Sequence, residues 1–334
     1  MYDFLRKNEM LRIWRLLILA LCISSASMAF PNSAIDELTP EQAYQQGMLL
    51  YQQNKYTQAR PLLKQAANRG YPAAALMYAD TFYANLFIQT EEESEYIVKA
   101  AEMGSIIGML EAGSARSING KSHLWSAKSD RVLNDLADKG NAFAMSLLSG
   151  SSDSHDERFD WLKKAAEAGD AFAQHELARR YGSGDDWFLI PGKREKETER
   201  FFKAAADSGY WLGMLDYADR LKKRGNIKGY QSIIDELVEA GDALSILGIS
   251  GSYVDAREYE LAAYYSKIYL DSMGNEGKQS GYKAAQSIYD EAALPLTPEQ
   301  IKQVDVRVQQ YLKTHTVRYQ KRIKDYEYTL DSFQ

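Results

Sequence analysis

Cysteine is almost missing from this chain. Its 334 residues hold one, Cys22, so no intrachain disulfide and no thiolate metal cluster can form. Histidine is scarce as well, with His123, His155, His175 and His315 the four present. None forms a His-x-x-x-His pair and no HExxH string occurs, which removes the usual zinc-hydrolase spacing. A serine-hydrolase elbow needs Gly-x-Ser-x-Gly. The nearest strings, Gly248-Ile249-Ser250-Gly251 and Gly150-Ser151-Ser152, do not match it and read as helix ends. Ser154, His155 and Asp156 adjoin one another, whereas a triad converges from separate elements; they read as a helix-start loop. No phosphate-cradling glycine loop is present. These absences argue against an enzyme, and they leave no catalytic, cofactor-binding or metal-ligating residue to nominate.

Proline is also rare, 7 in all, which leaves room for uninterrupted helices. Long hydrophobic runs are lacking outside the N-terminus. There Arg6, Lys7, Arg12 and Arg15 precede an apolar stretch, and Ser27-Met28-Ala29 places small residues where a signal peptidase reads. Residues 1–29 read as a signal peptide cleaved before Phe30, and a start at Met10 gives a more compact leader. An uncleaved anchor is the alternative, but the apolar run lasts about 15 residues against the ~20 a bilayer needs. Cys22 invites a lipid anchor, yet Leu21 stands where a small residue is expected. The expected compartment is therefore the periplasm, with membrane contact only through an uncleaved leader. Net charge is -6, and the leader carries four positive and two negative residues, so the remainder is at -8. A chain this acidic is a poor nucleic-acid binder, and a basic or amphipathic partner suits it better.

What the chain does have is repetition. A bulky apolar residue, a Lys-Ala-Ala or close variant, and then a glycine recur. The pattern runs through Leu63 to Gly70, Val98 to Gly104, Leu162 to Gly169 and Phe202 to Gly209, and more weakly through Leu133 to Gly140 and Ile234 to Gly241. The six glycines lie 34, 36, 29, 40 and 32 positions apart, the size of a two-helix unit. Each glycine is expected to end a helix in the left-handed conformation. A seventh, poorer copy ends near Gly274. Leu38-Thr39-Pro40-Glu41-Gln42 and Leu296-Thr297-Pro298-Glu299-Gln300 match each other. In both, threonine caps, proline fills the first turn and glutamine completes a capping box. These helix starts frame a repeat region at 39–292 and a C-terminal capping helix at 297–334, with a break near 314–316. The last part of that helix interleaves Lys313, Arg318, Lys321, Arg322 and Lys324 with tyrosines. It reads either as a solvated basic face or as a docking element for a partner or anionic lipid.

The segments FDWLKKAAEAGDAFAQHELARRYGSG (159–184) and FFKAAADSGYWLGMLDYADRL (201–221) resemble Sel1-like repeats, relatives of the tetratricopeptide repeat. The opening stretch 43–70 is similar to a tetratricopeptide-like entry repeat. The family's Tyr-x-x-Gly-x-Gly loop is approached only at Tyr181-Gly182-Ser183-Gly184. The resemblance implies an all-α fold, an α-solenoid of about seven helix-turn-helix repeats closed by a long C-terminal helix. It also implies a protein-binding role. Exported bacterial members include immunity proteins that neutralise secreted toxins, notably phospholipases delivered by type VI secretion, and scaffolds for envelope or exopolysaccharide assembly. The immunity role is the first expectation, with one or more proteins as partners and a toxic lipase effector among them. The scaffold comes second, and an envelope enzyme is a distant third.

Three features are candidate partner contacts. The insert 185–194 lengthens one repeat and places Trp187, Phe188, Leu189 and Ile190 in a loop, and inserts in repeats often map to the binding face. The alternative is a loop folded back onto its own core. Glu91, Glu92 and Glu93 begin a helix, where they either complement its dipole or face a basic partner. Trp125 lies in a stretch, 117–128, that reads as irregular.

Overall fold

In the computed structural model, residues 35–82, 90–114, 120–152, 154–186, 188–276, 281–320 and 328–333 are described. The chain divides into two compact units, 1–37 and 38–334. Every helix named below belongs to the second; the leader, its cleavage site and Cys22 lie outside the described residues.

The second unit is an all-α repeat solenoid. Seven helix pairs run from α1 (Pro40–Gln52) and α2 (Tyr56–Asn68) through α3 (Pro72–Asp80), α4 (Glu91–Glu102), α5 (Ile106–Ser114), α6 (Ser122–Asp138), α7 (Ala142–Ser151), α8 (His155–Glu167), α9 (Ala171–Ser183), α10 (Lys193–Asp207), α11 (Trp211–Lys223), α12 (Ile227–Glu239) and α13 (Ala243–Asp255) to α14 (Tyr259–Ser272). Then α15 (Tyr282–Ala293) and α16 (Pro298–Leu312) pack on α14.

The local rules read from the sequence operate as expected. Gly70, Gly104, Gly140, Gly169, Gly209 and Gly241 all have positive φ, between 71° and 97°. Thr39 and Thr297 both close capping boxes, and so does Thr90 ahead of α4. Asp170 caps α9 by accepting the Ala173 N–H at 2.7 Å. Between successive pairs the small residues set the spacing. A Cβ added to Gly213 on α11 would sit 2.6 Å from the Ala205 Cβ on α10, so the two helices meet almost backbone to backbone. Around that seam Leu162, Leu177, Tyr181, Phe201 and Phe202 form one apolar cluster. Each fully buried aliphatic there, Leu177 for example, contributes about 1.5–3 kcal/mol.

Four expectations change. Gly248 to Gly251 lie inside α13 rather than at its end, because the helix continues to Asp255 before its cap. Gly274 is not left-handed. It serves close approach: a Cβ there would collide with the Asn54 carbonyl oxygen. Trp125 is on a regular helix, since α6 begins at Ser122. The C-terminal helix stops at Leu312. Thr314, Thr316 and Val317 are β-branched and poor helix formers, and residues 315–320 run extended, their backbone groups taken up by distant parts of the chain.

Candidate partner-binding surface

The insert between α9 and α10 is a fixed loop. Gly184 at φ 104° ends α9 and Gly192 at φ 78° opens α10. Arg194 ties the two sides together. Its guanidinium donates to the Asp186 carbonyl at 2.6 Å and the Tyr181 carbonyl at 3.3 Å, and it covers the Phe188 ring at 5.4 Å. Phe188 packs edge-on against Tyr181, centroids 4.9 Å apart. Phe188 is thus folded back onto the repeat's own core. Leu189 and Ile190 are not: they are 84% and 62% exposed. Trp187 lies outside the described residues.

With Tyr181 and Phe188 these two aliphatics line part of a groove of about 580 Å³, whose remaining lining is Glu167, Asp186, Lys193, Glu197 and Arg200. Arg200 bridges Glu167 at 2.5 Å and Glu197 at 2.8 Å. Its hydrogen bonds hold the Glu167 carboxyl below the usual range. The result is a pair of aliphatic side chains at the edge of a charged, internally paired trough.

The acidic start of α4 is mostly committed to the fold. Glu93 is buried and completes the capping box of Thr90. Glu92 accepts from Lys64 at 2.7 Å and from the Tyr78 hydroxyl at 2.6 Å. These bonds lower the Glu92 carboxyl, Lys64 first and Tyr78 second. Glu91 alone is exposed on the first turn. Trp125 is half-buried on α6 with the Lys128 ammonium 5.1 Å from its ring. The lining of this groove includes neither the start of α4 nor Trp125. Ser154 caps α8, and His155 and Asp156 occupy the first turn of that helix. Among the described residues no group of three or more His, Cys, Asp or Glu is placed to hold a metal ion, and no helix is long and apolar enough to cross a membrane.

Sequence reasoning missed the most tightly built feature. The extended segment after α16 lies between the α1–α2 turn and the α12–α13 turn. On one side the Tyr319 N–H donates to the Gln52 carbonyl at 3.1 Å. Gln52 Nε2 donates to the Tyr319 carbonyl at 3.1 Å, and Gln53 Nε2 to the Val317 carbonyl at 2.9 Å. On the other side the Arg318 N–H donates to the Gly241 carbonyl, and the Ala243 N–H donates to the Arg318 carbonyl, both at 3.0 Å. Ala243 is the first residue of α13, where a helix leaves its N–H groups unpaired; the tail supplies the partner. Farther on, the same two atoms of an earlier turn are used again. Leu330 N–H donates to the Gly104 carbonyl at 3.0 Å and Ile106 N–H to the Tyr328 carbonyl at 3.2 Å. Tyr328 then packs against Phe143.

This seam also joins the first and last repeats. Gly274 N–H donates to the Gln53 carbonyl at 2.6 Å, and Glu276 accepts from the Thr57 N–H and hydroxyl at 2.9 and 2.8 Å. Val317 and Tyr319 are buried. The Tyr319 hydroxyl meets that of Tyr269 at 2.5 Å, and the Gly281 N–H points to both. Burial, then the bond to Tyr319, pushes the Tyr269 phenol far above its ordinary value. The fit is incomplete: Gln52 Oε1, Ser272 Oγ and Arg318 Nε are buried without a hydrogen-bond partner, at about 1–3 kcal/mol each. The signal that marks this segment in the sequence is the alternation of Val317 and Tyr319 with polar neighbours.

No protein-family model matches the chain. No curated protein matches it either. Among solved structures it is similar to a protective antigen present in uropathogenic Escherichia coli strains that displays an SLR fold, at 18% identity and TM-score 0.45, over 84% of this chain and 62% of that one. It is also similar to a Sel1 repeat protein from Oxalobacter formigenes, at 18% identity and TM-score 0.34, over 89% of this chain and 92% of that one. The chain thus spans 62% of the length of the E. coli protein.

Proposed function

We propose that this chain is an exported, periplasmic protein-binding repeat protein without catalytic activity, and that it acts as an immunity protein that neutralises one secreted toxic effector. The partner class is a hydrolase of the phospholipase type delivered by type VI secretion. The observation that carries the protein-binding role is the insert loop. Leu189 and Ile190 stand exposed on a loop that Arg194 has already fixed. Exposed aliphatics on a pre-ordered loop lose little freedom on docking, and a small apolar anchor beside a polar rim is the common anatomy of an interface. The acidic balance favours a basic partner surface and fast encounter with it.

The test is purification of the C-terminally tagged chain from periplasm, beside the double variant Leu189→Asp/Ile190→Asp. The expected result is one hydrolase, inhibited in the complex, that the variant fails to retain. N-terminal sequencing of the same sample is expected to begin at Phe30. Recovery of envelope-assembly proteins with no inhibited hydrolase replaces the immunity role with that of a scaffold. A free and active hydrolase in the presence of the chain refutes neutralisation outright.

A further inference from the structure

The α12–α13 turn, the α1–α2 turn and Tyr269 together make a cleft with the chemistry of a strand-reading site. The Gly241 carbonyl and the Ala243 N–H read the backbone of one residue, from one side. The Gln52 carbonyl and the Gln52 and Gln53 side-chain amides read the residues before and after it, from the other. Five main-chain groups of three successive residues, the Val317 carbonyl and both groups of Arg318 and Tyr319, are therefore bonded by two elements nearly 200 positions apart in sequence. Side-chain selection is equally defined. One position takes a β-branched aliphatic, Val317, which is 1% exposed. Two positions later the cleft takes a tyrosine whose hydroxyl pairs with that of Tyr269. Nothing but a glycine fits at 241, because a Cβ there would overlap the Thr316 carbonyl oxygen. The resident segment fills this cleft while leaving the Gln52 Oε1 of its wall and its own Arg318 Nε unpaired. It is a good occupant rather than a complete one.

The geometry points to a binding cleft for an extended peptide, held shut in cis by residues 316–320, and a partner segment with a β-branched aliphatic two positions before a tyrosine displaces that clasp. The occupant class follows from the lining: an unfolded or loop segment of another protein, added along the turn through its main chain as in strand addition. The cleft is separate from the insert loop, so this inference stands or falls independently of the neutralising role. Displacement also removes one bridge between the first and last repeats, because Tyr319 is bonded to Gln52 on the first and to Tyr269 on the last; the direct bonds of Gln53 to Gly274 and of Thr57 to Glu276 remain.

The probe is a fluorescein-labelled octapeptide with the sequence of residues 313–320, KTHTVRYQ. It is titrated into the full chain and into the full-length double variant Val317→Asp/Tyr319→Ala, whose own tail no longer fits. The variant is expected to bind at least tenfold more tightly than the unmodified chain, and adding Gln53→Leu to it is expected to weaken that binding. Equal affinity for both chains, or binding indifferent to Gln53→Leu, overturns the proposal. Should the double variant lose its helical circular dichroism, amide exchange on the unmodified chain decides. Excess unlabelled octapeptide is expected to speed exchange of the Arg318 and Tyr319 amides at least tenfold and leave that of Leu177 unchanged. Exchange at 318 and 319 that the peptide does not move also overturns it.

Discussion

Gly209 and Gly241 make a matched pair for an experiment. Both stand at φ 71° after a repeat's second helix. Alanine at either position pays the same backbone penalty for a left-handed conformation, about 1–2 kcal/mol. Their surroundings differ. A Cβ at Gly209 meets nothing within 4 Å, whereas one at Gly241 runs into the Thr316 carbonyl oxygen. Relief at 241 requires the tail to move away, which stretches the two bonds of 3.0 Å between Arg318 and the turn. Each is worth about 0.5–1.5 kcal/mol net, so the tail adds about 1–3 kcal/mol. Gly209→Ala is therefore expected to lose about 1–2 kcal/mol and Gly241→Ala about 2–5 kcal/mol. Urea unfolding followed by far-ultraviolet circular dichroism measures the loss, and amide exchange at Arg318 and Tyr319 reports the tail. Equal losses in the two variants, with tail exchange unmoved in Gly241→Ala, would show that the tail does not bear on the turn and refute the reasoning.

Three further outcomes follow from single groups. Burial, and then the charges of Asp80 and Glu93, raises the Glu111 carboxyl to about 7. Its neutral form stabilises the fold fully below the unfolded value near 4.5, and that contribution is lost as pH rises towards 7. Glu111→Gln is then expected to match the parent at pH 4 and to exceed it at pH 8 by up to about 3 kcal/mol in urea unfolding, at about 1.4 kcal/mol per pKa unit; no gain at pH 8 would refute this. For His315, burial lowers the imidazolium, but bonds to Glu239 and to the Tyr311 carbonyl outweigh it and raise the group. Its stabilising effect is present below about 6.5 and fades as pH passes the folded value; an NMR titration is expected to show a raised midpoint that Glu239→Gln brings down. Thr297→Ala removes the cap of α16 and is expected to cost about 1 kcal/mol, read as a lower urea midpoint.

The repeat pattern was open to reading because local chemistry imposes it. A left-handed turn selects glycine, a helix start selects threonine with glutamine three residues on, and a close helix pair selects alanine. Each leaves a residue type at a fixed spacing, and Gly70 to Gly241 and Thr39 to Thr297 behave accordingly. The path of the tail was hidden for the opposite reason. Its partners on the turns are mainly backbone groups of Gln52, Gly241 and Ala243, which leave no residue signature. The tyrosines and basic residues from 311 onward mimic helical spacing, and only Val317 and Tyr319 show the period of two that an extended segment leaves. The insert divided along similar lines. Phe188 was drawn inward by Tyr181 and Arg194, whereas Leu189 and Ile190 stay exposed.

Repeat chains commonly change length by duplicating or losing a unit, since each unit touches only its neighbours. Here that freedom is gone. Gln53 meets Gly274 and Thr57 meets Glu276 because a set number of helices separates them. One added pair, at about 8–10 Å for each helix layer, carries Gly274 out of reach of Gln53 and leaves Tyr319 facing the wrong turn. Copy number in this chain is a geometric constant, and unequal recombination within the array yields a protein whose two halves no longer find each other.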